Sequence, residues 1–232
     1  MGLPPRSITR IILCAGGLHL PGLVHVVDDD TSFRTAIQRR LQLAGYDVVT
    51  YSSARDLLGR LPDEARPSCI LLDVRIPNLS GPELQLRLGE LGSKLPIVFL
   101  SAYADVQTTV KTIKAGAEDF LIKPVNSELL LKTIEDAIGR SEGLRKQRSA
   151  LDAQRAQLAT LTPRERQVFE LVVRGKLNKQ IGHELGATER TIKAHRQRVM
   201  EKMQVKSLAQ LVSLAERLGI LAQSAESDPT PV

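Results

Sequence analysis

CILLD, residues 69–73, is four apolar side chains closed by a single carboxylate. An apolar run with no alternation reads as a strand buried on both faces. Three neighbouring stretches have the same form. LVHVVDDD (23–30) ends in three aspartates, PIVFLS (96–101) in a serine, and DFLIKP (119–124) in a lysine and a proline. DVVTY (47–51) supplies a fifth strand. Between the strands the spacing predicts helices at 33–43, 54–61, 82–91, 106–115 and 128–138. Asp30 or Thr31 caps the first, Pro62 ends the second, Pro82 opens the third, Gly116 closes the fourth and Ser127 caps the fifth. Doubly buried strands alternating with helices make a parallel sheet. Five such units in about 115 residues make an α/β domain with a doubly wound sheet.

In an open α/β sheet the C-terminal ends of the strands converge on the crevice where ligands bind. Asp28, Asp29 and Asp30, then Asp73, Ser101 and Lys123, all stand at such ends. Carboxylates gathered there repel one another unless a cation joins them. Oxygen donors of this kind suit Mg²⁺, with Mn²⁺ as a substitute. A lysine and a hydroxyl alongside complete a phosphoryl-transfer centre, with a carboxylate as nucleophile. Singly, an Asp run is a turn or helix cap and a Lys-Pro is a turn. It is the placement of all four on different strands that points to chemistry.

VVDDD, LLDVRIPNLSG, FLSAYAD and FLIKP resemble the four signatures of two-component receiver domains, across residues 23–140. The resemblance implies a flavodoxin-like fold with strand order 2-1-3-4-5. It implies that Asp73 accepts a phosphoryl group from a sensor histidine kinase. Asp28 and Asp29 would hold the metal, with Asp29, Asp73 and the Arg75 carbonyl as direct ligands. Ser101 would hydrogen-bond the phosphoryl group, Lys123 would pair with its charge, and Phe120 occupies the family's switch-aromatic position. Two positions depart from the common pattern: Ile76 stands where Met is frequent and Ser101 where Thr is. Both changes keep the chemistry.

Beyond residue 138 the pattern is helical throughout. Leu144, Leu151 and Leu158 recur every seven residues in a polar stretch, which reads as a helical linker at 141–160, either solvated or paired in a coiled coil. Thr162-Pro163-Arg164-Glu165 is a capping box. Helices follow at 163–173, 177–184, 188–203 and 207–218, with Gly175 and Gly186 at the first two breaks. Residues 161–220 resemble the all-α, four-helix DNA-binding domain of the NarL/FixJ (LuxR-type) family. Ile192, Val199 and Met203 form the buried stripe of its third helix, which leaves Arg190, Lys193, Ala194, Arg196 and Gln197 outward. By that resemblance Lys193, Ala194 and Gln197 approach bases, while Asn178, Lys179, Arg190 and Lys206 meet phosphates. Arg196 belongs to the same DNA-facing set. The last helix carries Leu208, Leu211, Val212 and Ala215 on one side. The family uses that helix for dimer contact, and burial within its own domain is the alternative.

The bulk numbers fit this division. Residues 23–138 hold 13 Lys+Arg against 16 Asp+Glu, whereas 161–220 hold 12 against 6. A basic C-terminal half is the electrostatic footprint of a nucleic-acid binder. With aromatics at 3% and no Trp, the cores must be aliphatic. Cys14 and Cys69 make neither a disulfide framework nor a metal cluster. No stretch reads as a membrane span: 11–27 contains Pro21, three glycines, His19 and His25. Residues 1–22 lack a small-x-small cleavage site and read as a disordered extension, and 221–232 as a disordered tail. A cytoplasmic location is the expectation.

The resemblance implies a sequence of events. Phosphorylated Asp73 draws in Ser101 and Lys123, the loop at 101–104 moves and Phe120 changes rotamer. The face made by the fourth helix, fifth strand and fifth helix then dimerises. Paired DNA-binding domains meet an inverted repeat, with RNA polymerase as a further partner. One alternative is a phosphorylation-independent DNA-binding or adaptor protein that keeps the receiver only to dimerise. Another is an enzyme turning over a small phosphate substrate, against which stands the lack of a Gly-rich substrate loop and of a second acid/base. Slow autodephosphorylation is the only turnover expected.

Overall fold

The computed structural model describes residues 22–102 and 106–221, and of Thr108 the backbone alone. The expected extension before Gly22, the tail after Leu221 and part of the 101–104 loop lie outside the described residues.

The first ten elements are β1 (Leu23–Val27), α1 (Thr31–Leu43), β2 (Asp47–Tyr51), α2 (Ala54–Leu58), β3 (Ser68–Asp73), α3 (Gly81–Glu90), β4 (Ile97–Ser101), α4 (Val106–Lys114), β5 (Asp119–Ile122) and α5 (Ser127–Ala159). All strand pairings are parallel, and the order is β2-β1-β3-β4-β5. This is the expected doubly wound, flavodoxin-like order. Every residue of β3 and β4 is buried, whereas the edge strands β2 and β5 are only partly so. The unbroken apolar runs therefore mark the interior of the sheet.

Side-chain alternation sends successive strand residues to opposite faces. One face packs Val27, Ile70, Leu72 and Phe99 with Leu57 of α2 and Leu84 and Leu88 of α3. The other packs Val24, Val26, Leu71 and Leu100 with Ile37 and Leu41 of α1 and Leu130 and Ile134 of α5. His25 is buried on β1 with Nδ1 3.1 Å from the Tyr51 hydroxyl. Burial, helped by the charge of Arg66, lowers its pKa to about 4 and keeps it neutral.

Most helix limits move by a residue or two, and at two of them the residue that stops or caps the helix differs from the expected one. α2 stops at Leu58, because the Gly59 and Arg60 amides already close back onto Arg55 and Leu57. The turn comes before Pro62, and Leu61 is left exposed. Ser127 lies inside α5 rather than capping it: the Asn126 side chain accepts from the Glu128 amide at 2.7 Å. At α1 the cap is Asp30, which accepts from Ser32 and Phe33.

The chain divides into two compact units, Met1–Lys146 and Gln147–Val232. The linker helix is the continuation of α5. Its Leu144 is exposed, while Leu151 and Leu158 are half-buried and Leu158 packs on the core of the second unit. The seven-residue leucine spacing is thus partly used up within the chain.

The second unit contains α6 (Pro163–Val173), α7 (Asn178–Leu185), α8 (Glu189–Lys202) and α9 (Leu208–Arg217). Val168, Phe169, Ile181, Ile192, Val199, Met203 and Leu211 are its buried core. On α9, Leu211, Leu214 and Ala215 are buried in that same core while Leu208 is exposed. The apolar side of this helix is therefore mostly spent inside its own domain. Gly182 is required where it stands: a Cβ there would lie 2.7 Å from the Ala187 carbonyl oxygen.

The capping box forms as expected. Glu165 accepts from the Thr162 amide and, at 2.6 Å, from Lys202 of α8. The Lys202 bond, then the Thr162 amide, lower the Glu165 pKa from 4.5 to about 2. A depressed carboxylate pKa stabilises the fold above the unfolded value, and that contribution drains away as pH falls through the folded one. We expect the second unit to lose stability between about pH 4.5 and 2. Glu165→Gln and Lys202→Met should each flatten that slope in acid denaturation followed by circular dichroism. A slope unchanged in both variants would assign the acid sensitivity elsewhere.

Candidate functional site

The ends of β1, β3, β4 and β5 place Asp28, Asp73, Ser101 and Lys123 around one pocket. Asp28, Asp73 and Ser101 are buried. The Lys123 ammonium spans the first two, 2.5 Å from Asp28 Oδ2 and 3.0 Å from Asp73 Oδ2. Burial works to lower the Lys123 pKa, but the bonds to Asp28 and Asp73 outweigh it and leave it raised. Burial likewise pushes the Asp28 carboxyl up, against the pull of Lys123 and the Asp30 amide. Lysine and carboxylates thus sit in a site where each charge depends on the other.

Asp29 is exposed at the rim. Carboxylate oxygens of Asp28, Asp29 and Asp73 lie within 4.8 Å of one another. Three carboxylates facing one ammonium leave a negative surplus, and these donors fit a hard divalent cation. Their present engagements differ. Asp28 is satisfied on both oxygens, Oδ1 by the Asp30 amide at 2.9 Å and Oδ2 by Lys123. Asp73 accepts from Lys123 and, at 3.3 Å, from the Arg75 amide. Arg75 itself is exposed. Phe120 is half-buried, with its ring centroid 6.4 Å from that of Phe99.

The second constellation lies on α7 and α8. Thr188 caps α8 by accepting from Thr191, and Gly186 makes the turn at φ 62°. Arg190, Lys193, Ala194 and Gln197 are exposed on α8, as are Lys179 and Lys206. Gln197 donates to Glu201 at 3.0 Å. Arg196 departs from the sequence reading. It is half-buried, and its guanidinium donates to Asn178 Oδ1 at 2.8 Å, tying α8 to the start of α7. Periodicity alone set it outward, but a long side chain can fold back along its helix to reach a partner.

Residues 24–135 match the response regulator receiver domain, and residues 159–215 match the bacterial regulatory proteins of the luxR family. The chain belongs to the NarL/FixJ family of response regulators. The regulator is 40% identical over 205 residues to Nodulation protein W of Bradyrhizobium diazoefficiens, covering 88% of this chain and 89% of that one. It is 39% identical over 200 residues to the transcriptional regulatory protein FixJ of the same organism, covering 86% and 97%. Among solved structures it is similar to the response regulator StyR, at 41% identity and a TM-score of 0.74 over 85% of this chain and 99% of that one. Full-length FixJ from B. japonicum aligns at 39% identity with a TM-score of 0.53 over 86% and 98%. The regulator therefore joins a receiver domain with an acidic pocket suited to a divalent ion to a DNA-binding domain of transcriptional type. No helix among the described residues is long and apolar enough to cross a membrane.

Three pocket residues escaped the sequence reading. Phe33, in the first turn of α1, sets its ring 4.1 Å from the Lys123 ammonium. Arg34 donates to the Asp28 carbonyl at 2.5 Å and to Thr31 Oγ1. Gly81 begins α3, and a Cβ on it would meet the Asp73 carbonyl oxygen at 2.5 Å and the Phe99 ring at 2.9 Å. Its signal was present in LLDVRIPNLSG, whose closing glycine follows the aspartate by eight residues. Gly81→Ala should destabilise the receiver by about 3 kcal/mol, since backbone and a buried ring must both give way. Urea unfolding of the full chain measures this, and a loss below about 0.5 kcal/mol would mean the backbone yields freely.

Proposed function

We propose that this regulator is switched by phosphorylation of Asp73 by a partner sensor histidine kinase, and that the switched form dimerises and binds an inverted-repeat promoter site. The observation that carries the reading is the Lys123 ammonium held between Asp28 and Asp73, with Ser101 at the adjoining strand end. An Asp73 carboxylate oxygen attacks the phosphorus of the kinase phosphohistidine. The P–N bond breaks, and the pair of electrons returns to the imidazole. Lys123 gives up its bond to Asp73 and pairs with the incoming phosphoryl oxygens. The Ser101 hydroxyl donates to one of them. A bound Mg²⁺, or Mn²⁺, supplies charge neutralisation for these oxygens. By the resemblance to receiver domains Asp29 and Asp73 would be its direct carboxylate ligands, with Asp28 beside them. The Arg75 carbonyl would add a third. Asp73 receives a phosphoryl group once per signalling event and loses it slowly, without turnover of a small substrate.

The new charge of about −2 recruits Ser101 and Lys123, and Phe120 follows with a change of rotamer. The face this remodels is apolar and open: Val106, Val110 and Ile113 on α4 and Ile122 on β5 are all exposed. It is the proposed dimer surface. The paired second units would then lay α8 in successive major grooves about one helical turn apart. Lys193 can donate to guanine, Gln197 can pair with adenine, and the Ala194 methyl can touch a thymine methyl. Lys179, Arg190 and Lys206 would meet phosphates, with Asn178 and Arg196 setting the angle between α7 and α8. RNA polymerase is the downstream partner and the cytoplasm the site of action.

Footprinting of the wild type and Asp73→Ala, with and without a small phosphodonor, tests the switch. Protection of a specific site should strengthen with donor in the wild type only, and equal protection in all four lanes would leave phosphorylation without a role. Specific affinity should fall by on the order of tenfold or more from low to physiological salt, as several phosphate contacts require. A flat salt response would assign the basic face to another partner.

A further inference from the structure

The Lys123 ammonium has two carboxylate partners and one aromatic one. Its side chain is 16% exposed and those of Asp28 and Asp73 less still. The Phe33 ring lies over the nitrogen at 4.1 Å from its centroid. At that distance the negative face of the ring attracts a cation, and poor hydration strengthens the attraction. Phe33 comes from a different part of the chain, the first turn of α1, whose start is fixed by Asp30 accepting from the Ser32 and Phe33 amides. Asp30 also donates its own amide to Asp28. The segment that carries the acidic ligands thus carries the ring that holds the lysine.

We propose that Phe33 is a positioning residue of the acidic pocket: its ring face holds the Lys123 ammonium across Asp28 and Asp73 and so sets how readily a divalent cation takes the pocket. The inference rests on the reading of this pocket as the phosphoacceptor site and adds to it a residue that no strand-end motif contains. Its physical basis is competition. Lys123 and a divalent ion neutralise the same carboxylates, and each Lys123 bond to Asp28 or Asp73 takes up negative charge that would otherwise attract the ion. Whatever strengthens the lysine's hold raises the concentration of ion needed to enter. Phe33 also packs against the core shared by α1 and α5, so its truncation alone does not separate packing from electrostatics.

Fluorination does separate them, because it drains and then reverses the charge of the ring face while nearly keeping its shape. Full-length protein carrying 4-fluoro-, 3,5-difluoro- or pentafluorophenylalanine at position 33 alone is titrated with Mg²⁺ in the unphosphorylated state by calorimetry. The Kd for Mg²⁺ should fall stepwise with fluorine number, by about fivefold to tenfold for the pentafluoro ring. Phe33→Leu should move in the same direction, and the fluorinated series carries the test should that variant fail to fold. A Kd that stays constant across a folded series, with normal Mg²⁺ uptake by the wild type, overturns the role of Phe33 and leaves the phosphoacceptor reading intact. A wild type that takes up no Mg²⁺ overturns both.

Discussion

The receiver half of this molecule is organised around one ammonium group among carboxylates. Asp28 and Asp73 sit at the ends of adjacent buried strands, where little water reaches to dilute their repulsion. Lys123 reaches them from β5, across the width of β4. Each of the three residues needs the sheet order β2-β1-β3-β4-β5 to stand where it does. The sheet in turn tolerates buried charge only because the charges meet. Removing the lysine would leave two desolvated carboxylates, and removing either aspartate would leave a cation with half its partners. The proposed phosphoacceptor site is thus also the place where the fold is electrostatically most exacting.

The architecture of this half was legible because burial on both faces leaves a strong trace in sequence. CILL and IVFL carry no polar alternation, and β3 and β4 are buried from end to end. Strand ends in a parallel sheet converge, so the meeting of Asp28, Asp73, Ser101 and Lys123 in one pocket could be read from position. The misreadings concern local chemistry with weak rules. Gly59 ended α2 before Pro62 could, and Asn126 supplied the cap that Ser127 resembled. Phe33 and Arg34 were invisible for a different reason. Helical spacing marks which side of α1 is apolar, but not that its first turn overhangs the end of β5.

In the second half the buried stripe of α8 was readable from Ile192, Val199 and Met203, all nearly inaccessible. The exposed set follows from it by subtraction, which works for short side chains and fails for Arg196. A guanidinium on three methylenes can lie along the helix and find Asn178, so the face a residue starts from does not fix where its charge ends. The same limit applies to α9, where amphipathicity announced an apolar surface but not which surface covers it. The contacts of Leu211, Leu214 and Ala215 with the rest of their own unit answer that question.

Gln85 links α3 to the end of α4. Buried on α3, it donates to the carbonyls of Thr112 and Ala115 at 3.3 and 3.1 Å, at the C-terminal end of α4. The Thr112 carbonyl also takes the Ala117 amide at 3.0 Å, and Ala115 follows the last residue of α4. The fastening therefore sits at the end of α4 remote from Ser101. A push delivered at the pocket end acts on a lever whose pivot is an amide–carbonyl bond, and the arm in between carries Val106 and Val110. A displacement beside Asp73 would be handed down that arm, greatest at Val106, smaller at Val110 and least at Ala115.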